Sequence, residues 1–207
     1  MVEFYGLEGQ DEFAFQLLKH IRNGFYIDCC CQHWKEASNT LVFEEQLGWT
    51  GLGFDFATEY HFCGPFNWEG NRKGEFIQMD VNTPEFTEVL LQKVNGLLVD
   101  YVSFDVDHTG VNYGWDVLPR LINGGIRFKV MTLEHEFYTQ GERVREPTRQ
   151  LLHQLGYKML FSDVSHIGGE MSEDWWIHPK YFPSRVFNYG GDGLYWKECV
   201  KRIKGYE

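Results

Sequence analysis

Basic residues are scarce in this sequence, which contains 19 lysines and arginines against 30 aspartates and glutamates and has a formal net charge of -11. A chain with this charge repels a phosphate backbone, and no stretch of it is rich in lysine and arginine. Nucleic acid is therefore a poor candidate for the main ligand, and an anionic membrane surface is disfavoured for the same reason.

Long apolar runs are also missing. The sequence has no run of about 18 apolar residues, and its first residues lack the basic segment and apolar run of a secretory leader. We therefore expect no membrane-spanning helix and a cytoplasmic location.

The paired C-x-x-C spacing of a structural metal site is absent as well. Five cysteines, of which Cys29, Cys30 and Cys31 are consecutive, cannot form a fully paired disulfide framework and suit a reducing compartment. The interpretation favoured for the three is a small, half-buried end of a strand rather than a redox or metal site.

The 207 residues, 43% of them apolar, suit one domain over 1–207 with one core. Helical and strand-like patterns alternate along the chain. Four helix boundaries are predicted: Asp11 as an N-cap, Gly48 as a C-terminal stop, Thr83 with Pro84 as a start, and Pro147 as another start. The stretch 172–182 is expected to be an edge strand or a loop. This alternation predicts an α/β fold, a Rossmann-like, mostly parallel sheet with helices on both faces.

The predicted strands end in carboxylates. These are Asp28, Asp55, Asp80, Asp105 with Asp107, Glu134 with Glu136, and Asp163. Ligands of such sheets bind at the carboxyl ends of the strands, and an acid at the end of the second strand is well placed to accept hydrogen bonds from ribose hydroxyls. Acids at so many ends suit a positively charged ligand, which favours the sulfonium of S-adenosylmethionine over a dinucleotide. The alternative is that each acid caps the helix that follows it.

Several stretches together resemble the FkbM-type methyltransferases, a class I family that uses S-adenosylmethionine. They are "GQDEF", "NGFYIDCCCQHWKEASNTLVFEEQLGWTGLGFDF", "VDYVSFDVD" and "IRFKVMTLEHEFY", and the resemblance covers roughly residues 4–180. It implies a Rossmann-like fold and methyl transfer, here interpreted as O-methylation of a small-molecule or sugar-containing acceptor.

The resemblance also implies a cofactor site. The turn after Asp28 would face the methionine part, Asp55 the ribose, Asp80 the adenine and Asp105 the methyl group. The full predicted cofactor set is Asp28, Cys30, Gln32, His33, Asn39, Asp55, Phe56 and Asp80. For His33 two roles stay open, contact with the amino-acid carboxylate of the cofactor or capping of the next helix.

One feature departs from the family, whose members carry glycine in the turn that Cys29, Cys30 and Cys31 occupy here. A left-handed backbone costs a residue other than glycine roughly 1 to 2 kcal/mol, and a Cβ hinders close approach of a ligand. A binding module that has lost catalysis is therefore an alternative to an enzyme.

The base that takes the proton of a hydroxyl acceptor is predicted to be Asp105, Asp107 or His135. The same three residues are the candidate ligands of a divalent ion, in a second alternative in which the acid and histidine rim belongs to a metal-dependent enzyme. Glu136, Tyr138 and Trp175 are the predicted substrate contacts.

Overall fold

A computed structural model describes residues 2–60, 64–106, 117–166 and 169–206. Eight of the ten strands form one sheet and the other two a short hairpin. The strands are β1 (Phe25–Cys29), β2 (Thr50–Asp55), β3 (Glu59–Tyr60), β4 (Gly64–Pro65), β5 (Glu75–Gln78), β6 (Val99–Phe104), β7 (Phe128–Glu134), β8 (Lys158–Ser165), β9 (Met171–Ile177) and β10 (Gly191–Asp192). The helices are α1 (Gln10–Leu18), α2 (Leu41–Leu47), α3 (Pro84–Val94), α4 (Val117–Asn123), α5 (Phe137–Gln140), α6 (Glu142–Gln154) and α7 (Trp196–Lys204).

The main sheet has the order β10-β8-β9-β7-β6-β1-β2-β5. Every neighbouring pair is parallel except those that involve β9, which runs antiparallel to both β7 and β8. The order of the strands reverses between β1 and β6, and loops that follow such a pair part from each other to leave a crevice. The fold thus places a crevice at the carboxyl ends of β1 and β6.

Helices cover both faces of the sheet. Neighbouring strand residues point to opposite faces, so Tyr26 packs into the core formed with α1, α2 and α7, whereas Ile27 packs into the core formed with α3, α4 and α6. The predicted α/β fold, with a mostly parallel sheet between two helical layers, is confirmed. Within the described residues no helix is both long and apolar enough to cross a bilayer.

Two predicted helix boundaries are confirmed. The Thr83 hydroxyl accepts a hydrogen bond from the Phe86 amide, with Pro84 at the first helical position of α3, and α2 ends at Gly48 with a φ of 75°.

Three other predictions of local structure are wrong. The N-cap of α1 is Gly9, and Asp11 lies within the helix, where its carboxylate accepts hydrogen bonds from the preceding segment. Pro147 lies inside α6, which begins at Glu142 because Gly141 turns the chain there. The stretch containing Trp175 is not an edge strand, since β9 is inserted between β7 and β8 and is buried on both faces.

Candidate functional site

A cavity of about 280 Å³ lies at the carboxyl ends of β1, β6 and β7, where the order of the strands reverses. Its lining combines the turn after β1, the ends of β6 and β7, the start of β9 and the segment before α1. The lining residues are Leu7, Glu8, Gln10, Asp28, Cys30, Cys31, Gln32, Ala37, Asn39, Asp105, Glu134, Tyr138, His166, Ser172 and Glu173. Six predicted site residues are among them: Asp28, Cys30, Gln32, Asn39, Asp105 and Tyr138.

The turn after β1 adopts glycine-like backbone conformations without glycine. Cys30, Gln32 and Ala37 have φ values of 64°, 49° and 61°. The Cys30 and Cys31 amides both donate to the Phe54 carbonyl at the end of β2, at 2.8 and 3.1 Å. The turn therefore holds three left-handed residues without glycine, at a cost of roughly 1 to 2 kcal/mol per residue.

Asp28 lies at the floor of this cavity. Its side chain is buried, and its Oδ2 accepts a hydrogen bond of 2.7 Å from the Thr40 hydroxyl. Burial, together with the nearby Asp105, raises the pKa of this carboxyl to about 7, although Thr40 and Arg72 act to lower it. The group therefore titrates near neutral pH.

Other carboxyls crowd the same cavity. Burial raises the pKa of Glu134 well above its usual range, and Asp105, which shares a hydrogen bond with it, adds to the rise. Burial together with the charges of Glu8 and Asp105 raises the pKa of Glu173 to about 8. Such crowding favours a ligand that brings positive charge.

Sequence reasoning missed the walls supplied by the segment before α1 and by β9. Gln10 donates a hydrogen bond of 2.6 Å from its Nε2 to Oε1 of Glu173, which ties the two walls together. Asp11 anchors this segment by accepting from the amides of Tyr5 and Gly6, at 2.6 and 3.1 Å. Neither Gln10 nor Glu173 ends a parallel strand, so only the three-dimensional packing brings these two residues to the cavity.

Asp55, predicted to hold the ribose, is fully buried and does not line the cavity. Its two carboxylate oxygens accept hydrogen bonds from the Gln32 amide at 3.2 Å and from the Ala57 amide at 3.1 Å. In this structure its carboxylate therefore supports the turn after β1.

Phe56 and Asp80 lie at a second, smaller cavity of about 40 Å³, which Cys30 also lines. The side chain of Phe56 is exposed, and Asp80 accepts a hydrogen bond from the Asn82 amide at 2.9 Å. Asp80, predicted to face the adenine, and Phe56, another member of the predicted cofactor set, thus share a cavity with Cys30 and do not line the larger one.

His33 does not line either cavity. Its Nδ1 accepts hydrogen bonds from the amides of Lys35 and Glu36, at 3.2 and 3.0 Å. These bonds close a turn directly after His33, whereas the next helix, α2, has Thr40 as its N-cap; His33 therefore does not cap that helix, and its contact with the cofactor stays a prediction.

His135 and Trp175 do not reach the cavity that the sequence predicted for them. His135 is fully buried, with its Nε2 at 3.6 Å from a carboxylate oxygen of Asp163 and of Asp174. Trp175 is also fully buried and stacks on Phe13 with 4.6 Å between ring centroids. Burial removes both side chains from contact with a substrate in this structure.

The metal alternative requires Asp105, Asp107 and His135 together, and the structure does not bring His135 to Asp105. Asp107 lies outside the described residues. His135, Asp163 and Asp174 form the one acid and histidine group with metal-ligand spacing in the described part of the chain.

Two arginines already pair with the carboxylates of that group. Arg149 donates to both oxygens of Asp174 at 2.8 and 2.7 Å, and Arg145 donates to Asp163 at 2.7 Å. Arg149 and His135 lower the pKa of Asp174 to about 2 against the effect of burial. Because arginines balance both carboxylates, the group is a structural ion-pair network.

Glu136 lies just beyond the cavity lining, at the N-terminus of α5, with a φ of 43°. The Tyr138 hydroxyl donates to its Oε1 at 3.5 Å. Tyr138 itself lines the cavity and is exposed, whereas Glu136 is buried, so contact of these two residues with a substrate stays a prediction.

No family model matches the sequence, and no curated protein matches it. Solved structures do match. Human methyltransferase-like protein 13, in a complex with S-adenosylhomocysteine, is 12% identical with a TM-score of 0.50 over 96% of this chain and 88% of that chain. The METTL16 methyltransferase domain is 13% identical with a TM-score of 0.50 over 84% of this chain and 66% of that chain.

At these identities the likenesses show the fold alone. Nothing among them singles out the FkbM family. The chain has the Rossmann-like fold of class I S-adenosylmethionine-dependent methyltransferases.

Proposed function

We propose that this protein is an S-adenosylmethionine-dependent methyltransferase that acts on a hydroxyl of a small-molecule or sugar-containing acceptor. The observation that carries the proposal is the cavity at the reversal point, bounded by the left-handed turn after β1 and by buried carboxyls. The neighbouring structure of methyltransferase-like protein 13 holds S-adenosylhomocysteine, which supports the same cofactor class here.

The residues present suit this cofactor in charge and in backbone shape. Asp28, Cys30, Gln32 and Asn39 would hold its methionine part, since they line the cavity beside the turn. The sulfonium and ammonium groups carry the positive charge that the crowded carboxyls favour. Phe56 and Asp80 would face the adenine from the smaller cavity. The ribose role of Asp55 requires that its carboxylate accept from the cofactor in addition to the two amides it already binds.

S-Adenosylmethionine would supply the methyl group, and the protein must orient the acceptor and remove its proton. Asp105 and Glu134 are the groups in the described cavity that suit this second task. They share a hydrogen bond, and the raised pKa of Glu134 makes its carboxylate a stronger base. Asp107 remains a candidate base by its position in the sequence.

Tyr138 and Glu136 would contact the acceptor at the mouth of the cavity. We include in the proposal that the partner is a small molecule rather than nucleic acid or membrane, because the net charge is -11. The free thiols of Cys29, Cys30, Cys31 and Cys199 support a reducing, cytoplasmic location.

The first test is calorimetric titration of the purified protein with S-adenosylmethionine and S-adenosylhomocysteine. We expect both to bind, and Asp28→Asn to weaken the binding about tenfold, which corresponds to about 1.4 kcal/mol. Asp192→Asn is the matched control, because Asp192 is exposed on β10, far from the cavity. Absence of binding to the wild-type protein would contradict the proposal.

The role of Asp105 and Glu134 as general bases has its own test. Asp105→Asn and Glu134→Gln should each leave S-adenosylhomocysteine binding within a few fold and slow methyl transfer by 10²-fold or more once an acceptor is found. Production of S-adenosylhomocysteine from a panel of hydroxyl-bearing small molecules and glycosides is the measurement. Full activity in both variants would exclude Asp105 and Glu134 as the general bases.

A scaffold that has lost catalysis is the second candidate. It is favoured by the turn itself, where the Cys30 and Cys31 amides are bonded to the Phe54 carbonyl. In contrast to a glycine-rich turn, these amides have a protein acceptor in this structure. Failure of the wild-type protein to bind the cofactor would favour this candidate.

A further inference from the structure

The loop that follows β1, residues 30–40, needs support from outside itself. Cys30, Gln32 and Ala37 each hold a positive φ, and side chains rarely adopt that conformation without compensating contacts. Besides the contacts from Phe54 and Asp55 of β2, support comes from the segment between β2 and β5, residues 56–74.

Two contacts from this segment hold the first half of the loop. The Trp68 indole donates to the Gln32 carbonyl at 2.8 Å, and the Phe66 carbonyl accepts from the Trp34 amide at 2.8 Å. Both Phe66 and Trp68 are buried, in a small apolar cluster that also includes Cys31. The loop is therefore packed against this segment as well as hydrogen-bonded to it.

Arg72 holds the second half. Its Nη1 donates to the Trp34 carbonyl at 3.0 Å and to the Ser38 hydroxyl at 3.2 Å, and its Nη2 donates to the Thr40 hydroxyl at 2.8 Å. These three acceptors lie on both sides of Ala37, so one guanidinium spans the strained residue. The Arg72 side chain is fully buried.

The guanidinium is itself held firmly. Its Nε donates to the Glu44 carboxylate at 3.0 Å, and its Nη2 also donates to the Tyr26 hydroxyl at 3.0 Å. Its Cζ lies 4.1 Å from the centroid of the Trp68 ring. A fork of several donors in a fixed plane is a property of arginine that lysine lacks.

A chain of two hydrogen bonds connects this group to the cavity. Arg72 donates to Thr40 Oγ1, and Thr40 Oγ1 donates to Asp28 Oδ2 at 2.7 Å. Asp28 lines the cavity. The position and charge of a cavity carboxylate thus depend on a residue that the sequence places more than forty positions away.

We propose that Arg72 is the positioning residue of the loop that follows β1, residues 30–40. It holds this loop in its left-handed shape and connects it through Thr40 to Asp28. The meaning of this arrangement for cofactor binding rests on the proposed function. The shape of the loop does not, because every contact that holds it joins residues of the chain itself.

Loss of the chain of hydrogen bonds should also change the titration of Asp28. Arg72 and Thr40 both lower the pKa of Asp28 against the effect of burial. The titratable and charged groups that face Asp28 are Arg72, Asp105, Tyr101, Cys29, Cys31 and Tyr26. Without the Thr40 hydroxyl, the pKa of Asp28 should rise further above 7.

The first experiment uses the cysteines of the loop as probes. Cys31 is buried in the loop, and Cys199 is buried in α7 on the other side of the molecule. Alkylation by iodoacetamide, resolved by fragment mass spectrometry, should proceed at least tenfold faster at Cys31 in Arg72→Lys than in the wild-type protein. The rate at Cys199 should stay unchanged, which separates opening of the loop from unfolding of the whole protein.

Further variants keep the experiment decisive if Arg72→Lys fails to fold. Ser38→Ala and Thr40→Val each remove one acceptor of Arg72, and both should speed the alkylation of Cys31. Arg127→Lys is the matched control, since Arg127 also donates to backbone carbonyls, those of Ile122 and Ile126, but is remote from the loop. Rates at Cys31 equal to the wild-type rate in all loop variants would overturn the proposal.

The second experiment is titration with S-adenosylhomocysteine between pH 6 and 9. Thr40→Val should weaken the binding about tenfold and shift its pH profile upward, and Thr40→Ser should restore both. If the wild-type protein binds and Thr40→Val binds equally with the same profile, the role of the hydrogen-bond chain is excluded and the proposed function stands. If the wild-type protein does not bind, the proposed function and the cofactor role of the loop both fail.

Discussion

Cys30 holds a backbone conformation that glycine adopts at lower cost. It also lines both cavities, the larger one with the carboxylates and the smaller one with Phe56 and Asp80. The resemblance to FkbM-type methyltransferases predicts glycine where the three cysteines stand, and the structure shows that Cys30 holds a left-handed backbone without it.

Cys30→Gly should stabilise the protein. Removal of a left-handed strain of roughly 1 to 2 kcal/mol, less about 0.5 to 1 kcal/mol for the greater freedom of glycine in the unfolded chain, leaves a gain of up to about 1.5 kcal/mol in the free energy of unfolding. Urea denaturation measures it. Cys29→Gly is the control and should destabilise, because Cys29 is a fully buried strand residue with an extended backbone.

The same variant distinguishes the two candidate functions. If a cofactor lies against the turn, loss of the Cys30 side chain should strengthen S-adenosylhomocysteine binding. A gain in stability without any change in binding would instead suit a scaffold that no longer holds the cofactor.

Among the elements, β9 is the one whose place in the sheet the sequence interpretation got wrong, because an edge strand or a loop was expected there. It is an interior strand whose neighbours are far apart in sequence, and its polar residues do not alternate with apolar ones as they would in a strand with a solvated face. Ser172 and Glu173 line the cavity, whereas Asp174 belongs to the ion-pair network with Arg149. Burial of this strand depends on charges that are balanced inside the fold.

Arg149→Met should therefore destabilise the protein by about 3 to 5 kcal/mol, because it leaves the buried Asp174 carboxylate without its main partner. Arg185→Met, a change at an exposed arginine, is the control and should cost less than about 0.5 kcal/mol. Chemical denaturation followed by tryptophan fluorescence gives both values. Equal losses in the two variants would show that the network does not stabilise β9.

At the scale of the whole molecule, the buried acids set the response to pH. The pKa values of Asp11, Asp28 and Glu173 are raised to about 6, 7 and 8 in the folded protein. The folded state then binds more protons than the unfolded state between about pH 4 and pH 8, so the free energy of unfolding falls as the pH rises through this range. The negative net charge adds repulsion in the same direction.

The melting temperature of the unliganded protein should thus be higher at pH 5.5 than at pH 8.5. For a chain of this length each kcal/mol shifts it by about 2 to 4 °C. Glu173→Gln should reduce the difference between the two conditions, and Glu85→Gln, at an exposed site on α3, should not. Scanning calorimetry provides the measurement, and a melting temperature that rises with pH would contradict the assignment.

How much of the site could be predicted depended on where each residue lies relative to a strand end. Asp28 and Asp105 follow directly from the rule that parallel strands end at the same edge of a sheet. Glu8 and Glu173 carry no such signal, since one precedes a helix and the other lies within the antiparallel strand β9. His135 follows a strand end as well, but local burial turned it away from the cavity.

The sequence by itself determined the alternation of strands and helices, the edge of the sheet that carries the acids and the absence of glycine from the first turn, because these features depend on neighbours within a few residues. Only the tertiary structure decided that β9 enters the sheet, that Asp163 and Asp174 pair with arginines, and that Arg72 holds the loop after β1. Those outcomes depend on contacts between residues distant in sequence, and their free energy appears only when packing excludes water from both partners.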